Sequence, residues 1–267
     1  MEITILGSGT STGVPVIGKK TPVNLSTDIK DKRSRSSILI RNHDTSIIID
    51  TGPDFRMQAL QHNIQHLDAI LFTHHHYDHI SGFGDIKPLL FERGSRLNCY
   101  CNNHTFEELN SRFNYLNLEQ GNADIGVNFI LLDSLTKNTA GQTRNNTIQI
   151  KSIQIDYFNV IHYPDIPLES TAYLINKKIL YITDFKFISD NMKHYFSNLD
   201  TIIMGAPLPY PHPYHISIPE AVTLLKELSP QKAFLTHLAD QKFHHELEKE
   251  LPEFIQPAYD NLILNFY

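Results

Sequence analysis

The chain has 267 residues, 41% of them hydrophobic, with 29 acidic and 23 basic side chains and a formal net charge of -6. That is enough apolar material for the core of one large domain, and the acidic balance argues against a surface that wraps nucleic acid, which needs a basic face. No apolar run approaches the roughly 20 residues that span a bilayer, so no membrane partner is expected.

From the N-terminus, MEITILGSGT reads as a short strand followed by a glycine-rich loop, without the basic and apolar regions of a signal peptide. Strand-like runs then recur: SILI (37–40), SIIID (46–50), AILF (69–72), LNCYC (97–101), FILL (129–132), IQIKSIQIDYF (148–158), TAYLI (171–175), KILYIT (178–183), TIIM (201–204), KAFLT (232–236) and NLILNF (261–266). Helical patterns lie between them: PDFRMQALQHN, HTFEELNSRF, ISDNMKHYF, SIPEAVTLLKEL and FHHELEKEL. In the first, Pro53 stands near the opening turn, with Asp54 where the macrodipole favours an anion. Segments 17–35 and 134–147 are polar and read as loops. The order predicts an α/β fold, two sheets covered by helices, in a single domain over 1–267. The only cysteines, Cys99 and Cys101, alternate on one strand and are expected as buried thiols, and the chain as reduced and cytoplasmic.

The chemistry concentrates in THHHYDH (73–79), directly after the run AILF. On a strand-to-helix turn alternate residues point the same way, so His74 and His76 can grip one cation. Asp78 and His79 then face a neighbouring point as a second half-site. Imidazole and carboxylate together suit Zn²⁺, Mn²⁺ or Fe²⁺. His75 is turned to the other side and is expected to be structural. Three further residues occupy the same local setting, an apolar strand ending in His or Asp: His162 in YFNVIHYPD, Asp184 in ILYITDF and His237 in KAFLTHLAD. Strand ends of this kind are where α/β folds gather ligands. His43, His62, His66, His104, His194, His244 and His245 lie in turns or on helix faces and carry no such pattern.

These residues resemble the metallo-β-lactamase superfamily, whose HxHxDH signature THHHYDH matches. The resemblance implies an αββα sandwich with two divalent ions, Zn²⁺ or Mn²⁺. It implies one ion on His74, His76 and His162, a second on Asp78, His79 and His237, and Asp184 between them. LGSGTSTGVPVIG (6–18), DIKDKRSRSSILI (28–40), IDTGPDFRMQAL (49–60) and THHHYDHISGFGDIKPL (73–89) are similar to the PhnP-like cyclic phosphodiesterase branch. Members of that branch often carry a structural zinc on three cysteines and a histidine. Here Lys19, Thr21, Asn24 and Asp240 stand at those positions, so no such zinc is expected. The 17–35 loop is expected to be held by hydrogen bonds and packing, or left mobile.

The implied reaction is hydrolysis of a small phosphodiester, cyclic ones included. Two cations about 3.5–4 Å apart can hold a hydroxide between them and lower its pKa toward neutrality. Asp78 could orient that hydroxide as well as bind metal. A leaving alkoxide needs a proton, and His215 in APLPYPHPYHISIPEAV stands where the branch places its proton donor, with His212 as a further pocket residue. The glycine-rich GSGTSTG (7–13) either approaches a phosphate or serves a tight turn; it lacks the lysine of a P-loop. Rival readings are a tRNA 3′-processing nuclease, another hydrolase of the superfamily acting on a thioester or lactam, and a non-catalytic binding module. A homodimer is left open by the resemblance alone.

Overall fold

The computed structural model describes residues 1–91, 95–116, 126–136, 146–166 and 168–266. The strands are β1 (Glu2–Gly7), β2 (Ser37–Asn42), β3 (Thr45–Ile49), β4 (Ala69–Leu71), β5 (Leu97–Cys101), β6 (Val127–Leu131), β7 (Thr147–Ile150), β8 (Ile153–Tyr163), β9 (Leu168–Ile175), β10 (Ile179–Ile182), β11 (Thr201–Gly205), β12 (Lys232–Thr236), β13 (Ile255–Pro257) and β14 (Ile263–Asn265). The helices are α1 (Phe55–Gln61), α2 (Tyr77–Ile80), α3 (Lys87–Leu90), α4 (Asn103–Phe113), α5 (Leu132–Thr136), α6 (Asp190–Phe196), α7 (Ile218–Leu228) and α8 (His244–Glu250).

Two seven-stranded sheets result, ordered β14-β1-β2-β3-β4-β5-β6 and β13-β12-β11-β10-β9-β8-β7. Each is mixed: β3 to β6 run parallel, as do β10 to β13, while the remaining neighbours are antiparallel. The apolar runs are unbroken because their strands are covered on both faces. Successive side chains point to opposite faces, and the packing follows that parity. Ile47, Ile49, Ile179 and Tyr181 join the core between the sheets. Ile48 joins a second apolar layer with Phe55, Phe83 and Leu109. Leu180 and Ile182 join a third with Phe196, Leu225 and Leu247. Three apolar layers separating helix, sheet, sheet and helix make the αββα sandwich expected from the sequence. Cys99 and Cys101 are both buried thiols of β5.

The run 148–158 and the segment 134–147 depart from the sequence reading. The run 148–158 is not one strand. It folds at Lys151, whose φ of 47° turns the chain, into the β7–β8 hairpin. The predicted loop 134–147 begins inside α5, and its residues 137–145 lie outside the described ones. Asp54 stands at the N-terminal end of α1 as expected, without a side-chain bond to the helix backbone. Its carboxylate instead accepts the Arg35 backbone N–H at 2.8 Å and faces Arg35 Nε at 3.2 Å. Among the described residues, no helix is long and apolar enough to cross a membrane.

Candidate metal centre

The site forms where the parallel strands of both sheets end. β4 runs into the His74–His79 turn, β10 into Asp184, and β12 into His237. Asp184 and His237 have φ of 53° and 57°. This left-handed conformation, which Asp and His tolerate better than most side chains, breaks each strand at its ligand. His162 is the exception to the strand-end pattern. It lies within β8, where the pairing with β9 shifts between Ile161 and Tyr163, so a local irregularity takes it out of the ladder. The two sheets are tied at this point: the Tyr173 hydroxyl donates to the Phe72 carbonyl at 2.7 Å, and the Thr171 N–H to that of Thr73 at 2.8 Å. At Gly52 the turn after β3 touches the ligand loop, since a Cβ there would stand 2.1 Å from the Asp78 carbonyl oxygen.

His74, His76 and His162 bring their ligand atoms together, and so do Asp78, His79 and His237. Asp184 lies between the groups. Its Oδ2 is 3.2 Å from His79 Nε2, and its Oδ1 is 3.3 Å from His237 Nε2 and 4.0 Å from His162 Nε2. All seven residues named from the sequence therefore converge. His215 joins them, with Nδ1 3.7 Å from Asp184 Oδ1, and the His212 ring centroid is 5.2 Å from that of His215. His75 turns away as expected; its Nδ1 lies 3.1 Å from Nδ1 of His104.

Three imidazoles are held in place through Nδ1. His79 Nδ1–H donates to Asp50 Oδ2 at 2.7 Å. Asp50 also accepts the Thr73 N–H and hydroxyl, both at 2.8 Å, so the Thr73 oxygen is free to accept His74 Nδ1–H at 3.0 Å. His162 Nδ1–H donates to the Tyr214 carbonyl at 3.0 Å. The opposite nitrogens of His74 and His162, both Nε2, are buried without a hydrogen-bond partner, while Nε2 of His79 faces Asp78 Oδ2 and Asp184 Oδ2, each at 3.2 Å. A buried polar atom left unpaired costs about 1–3 kcal/mol, and His74 and His162, which converge with His76, offer a donor set that a divalent cation satisfies. The residues therefore fit such ions.

Charge agrees with this arrangement at His74, His76 and His162, whereas at His79 burial is outweighed by the carboxylates of Asp78, Asp184 and Asp50, which hold it well above its ordinary pKa. Burial holds the His74 imidazole well below its ordinary pKa, helped by His79, and takes His76 down to about 4. Burial lowers His162 too. These three are neutral lone-pair donors at pH 7. For Asp184 and Asp78 burial favours the acid, but the imidazoles of His237 and His79 outweigh it and keep both carboxylates ionised. Burial lowers His215 to about 3, against the pull of Asp184.

The family pattern described as Beta-lactamase superfamily domain matches residues 45–238, which carry strands β3 to β12 and every donor named above. The chain belongs to the metallo-β-lactamase superfamily. This metallo-β-lactamase-fold chain is 33% identical to a diphosphatase of the PhnP family, with a TM-score of 0.87 over 100% of this chain and 98% of that one. Zn²⁺-bound PqqB from Methylobacterium extorquens superposes with a TM-score of 0.78 at 15% identity, each chain wholly covered, and the short form of human tRNase Z with 0.67 at 15%, each 99% covered. At that identity the likeness is one of fold. Among curated proteins the chain is 30% identical over 265 residues to an octanoyltransferase of Porphyromonas gingivalis; the match takes in 98% of this chain and 51% of that protein, so the chain spans about half its length.

Sequence reasoning missed Asp50, which accepts from His79 directly and supports His74 through the Thr73 hydroxyl. The signal was present, because SIIID is also an apolar strand ending in Asp, and Asp50 has the same left-handed φ, 66°. The glycine-rich loop resolves toward packing. A Cβ at Gly7 would stand 2.0 Å from the Arg35 carbonyl oxygen, so close passage of the 33–35 segment accounts for that glycine.

Proposed function

We propose that the chain is a metal-dependent hydrolase of small phosphodiesters, cyclic ones included. The observation that carries this reading is the position of Asp184 between two histidine-rich donor groups, with His215 beside it. Whole-chain similarity to a diphosphatase of the PhnP family supports phosphorus as the centre attacked. His74, His76 and His162 would hold one divalent ion and Asp78, His79 and His237 a second, with Asp184 shared. Such ions supply an activated water and neutralise the charge on phosphate oxygens.

The remaining work falls to side chains. Asp78, ionised and 3.4 Å from His237 Nε2, orients the attacking water. The new bond joins water oxygen to phosphorus, and the bond to the leaving oxygen breaks. His215 passes to that leaving alkoxide the proton that the attacking water gives up, giving an alcohol and a phosphomonoester. It rests as a neutral imidazole, and the negative charge of an arriving phosphodiester acts in the same direction as Asp184 to favour the imidazolium that donates. His212 lines the same pocket and accepts the Tyr214 N–H at Nδ1, 3.2 Å away.

One observation favours a second reading: almost the entire chain matches half of an octanoyltransferase, which points to an acyl compound as substrate. A single panel separates the two. Protein reconstituted with Zn²⁺ or with Mn²⁺ is assayed on bis(p-nitrophenyl) phosphate, 2′,3′-cyclic nucleotides and a riboside cyclic phosphate, against an octanoyl thioester, S-lactoylglutathione and nitrocefin. Turnover confined to the last three overturns the phosphodiesterase reading.

A further inference from the structure

Beside the donor groups stands an aromatic pair that the chemistry above does not use. The rings of Tyr163 and Tyr214 are stacked, with centroids 4.2 Å apart and planes 26° from parallel. Tyr163 follows His162 in the chain and meets two donor imidazoles edge-on, at 4.4 Å from His162 and 5.6 Å from His76. Tyr214 precedes His215, and its ring lies 5.8 Å from that of His212. Both tyrosines are only partly buried, and neither belongs to the three apolar layers that hold the fold together. The pair thus touches the metal centre on one side and the proton-donating loop on the other, while remaining open to a ligand.

We infer that Tyr163 and Tyr214 form a stacking subsite for a planar aromatic group carried by the phosphodiester, a nucleobase or a simple aryl ring. The inference rests on the phosphodiesterase reading and deepens it by naming the substituent. Phosphate oxygens are drawn to the donor groups, so a substituent on phosphorus reaches the rim within one or two ring widths, where the tyrosines stand. Stacking on an aromatic side chain asks only for a π-face and tolerates any base. Such a site discriminates for aromatic substituents without reading their hydrogen-bonding edges.

The test reads binding rather than turnover. Metal-loaded protein is titrated calorimetrically with adenosine 3′-monophosphate, phenyl phosphate and methyl riboside 3-phosphate, three monoesters that share the phosphate. The two aromatic ligands are expected to bind about 5- to 150-fold more tightly than the base-free one, the range a stacked base supplies. Tyr214→Ala and Tyr163→Ala should erase that advantage and leave methyl riboside phosphate unchanged; Tyr214→Phe should keep it. A larger advantage for the adenosine ester than for the phenyl ester marks a nucleobase as the natural occupant, and the reverse marks an aryl ring. Equal affinity for all three ligands, equal weakening of all three in the alanine variants, or no binding at all overturns the inference. Failure of the phosphodiesterase reading shows separately, as absence of hydrolysis across the diester panel.

Discussion

His79 Nδ1 and Asp50 Oδ2 lie 2.7 Å apart, both side chains wholly buried. Asp50 thereby fixes which face of His79 is offered to an ion, and through Thr73 it does the same for His74. Partners of this kind tune metal affinity without touching metal. Asp50→Asn is therefore expected to weaken binding of Zn²⁺ or Mn²⁺ about 10- to 100-fold. Calorimetric metal titration reads this directly, with far-UV circular dichroism as the check on folding. Unaltered affinity in a folded variant would show that the histidines hold their orientation without it.

The role given to His215 depends on the leaving group. An alkoxide needs a proton as it departs, and a general acid contributes about 10²- to 10⁴-fold. A p-nitrophenolate leaves without one. His215→Gln should lower kcat by that factor on a cyclic ribose diester while sparing bis(p-nitrophenyl) phosphate. If both substrates lose activity to the same extent, His215 serves the centre in another way, as a ligand or a packing group.

Far from the site, Asp68 ties the start of β4 to its surroundings. Its carboxylate accepts the Ser46 N–H at 2.8 Å and lies 2.9 Å from His66 Nε2 and 3.0 Å from Lys151 Nζ. Burial favours the acid form, but bonds from His66, Ser46 and Lys151 prevail and hold the pKa below its ordinary value. A depressed carboxyl contributes stability above its unfolded pKa of about 3.9 and loses it as pH falls through the folded value. Asp68→Asn should therefore lower the urea midpoint at pH 7, and its deficit should close as the pH falls below about 4. A deficit that persists unchanged to pH 3 would mean the effect is not ionic.

Much of this site was legible because metal chemistry leaves a short-range mark: Asp184 and His237 each follow an apolar strand, His162 sits near the end of one, and the 74–79 turn gathers four donors at once. Asp50 bore the same mark and was passed over because it acts through His79, and nothing in a sequence says which donor meets an ion and which meets a ligand's far nitrogen. The β7–β8 hairpin had a signal too. Ile148 and Ile150 fall on even positions, Ile153 and Ile155 on odd ones, so the alternation changes phase across Lys151 and Ser152. The three-residue β13 had none, being too short for a period and ending in proline. The one-turn α2 is likewise set by tertiary contacts, since four residues fix more backbone than their own hydrogen bonds repay. The Tyr163–Tyr214 stack joins residues 51 positions apart and could not be read from either segment.

Lys19, Thr21, Asn24 and Asp240, the four positions where the sequence resemblance would put a structural zinc, do meet in space, and they meet as a polar knot. Asn24 Nδ2 donates to Asp240 Oδ2 and to Thr21 Oγ1, each at 2.8 Å. Asn24 Oδ1 accepts the Val16 N–H at 2.7 Å, and Lys19 Nζ lies 3.7 Å from Asp240 Oδ1. Asn24 and Asp240 are both buried, so the 17–35 loop is fastened to the segment after β12 by hydrogen bonds between matched donors and acceptors. Asp240→Ala leaves the buried Asn24 amide without one of its acceptors, while the exposed Lys19 ammonium turns to water. About 1–3 kcal/mol of stability should be lost, with faster limited proteolysis within 17–35. The decisive condition is saturating chelator: a knot made of hydrogen bonds gives the same difference between wild type and variant with and without it. Should chelation alone release the loop in the wild-type protein, a bound ion rather than Asn24 and Asp240 holds it in place.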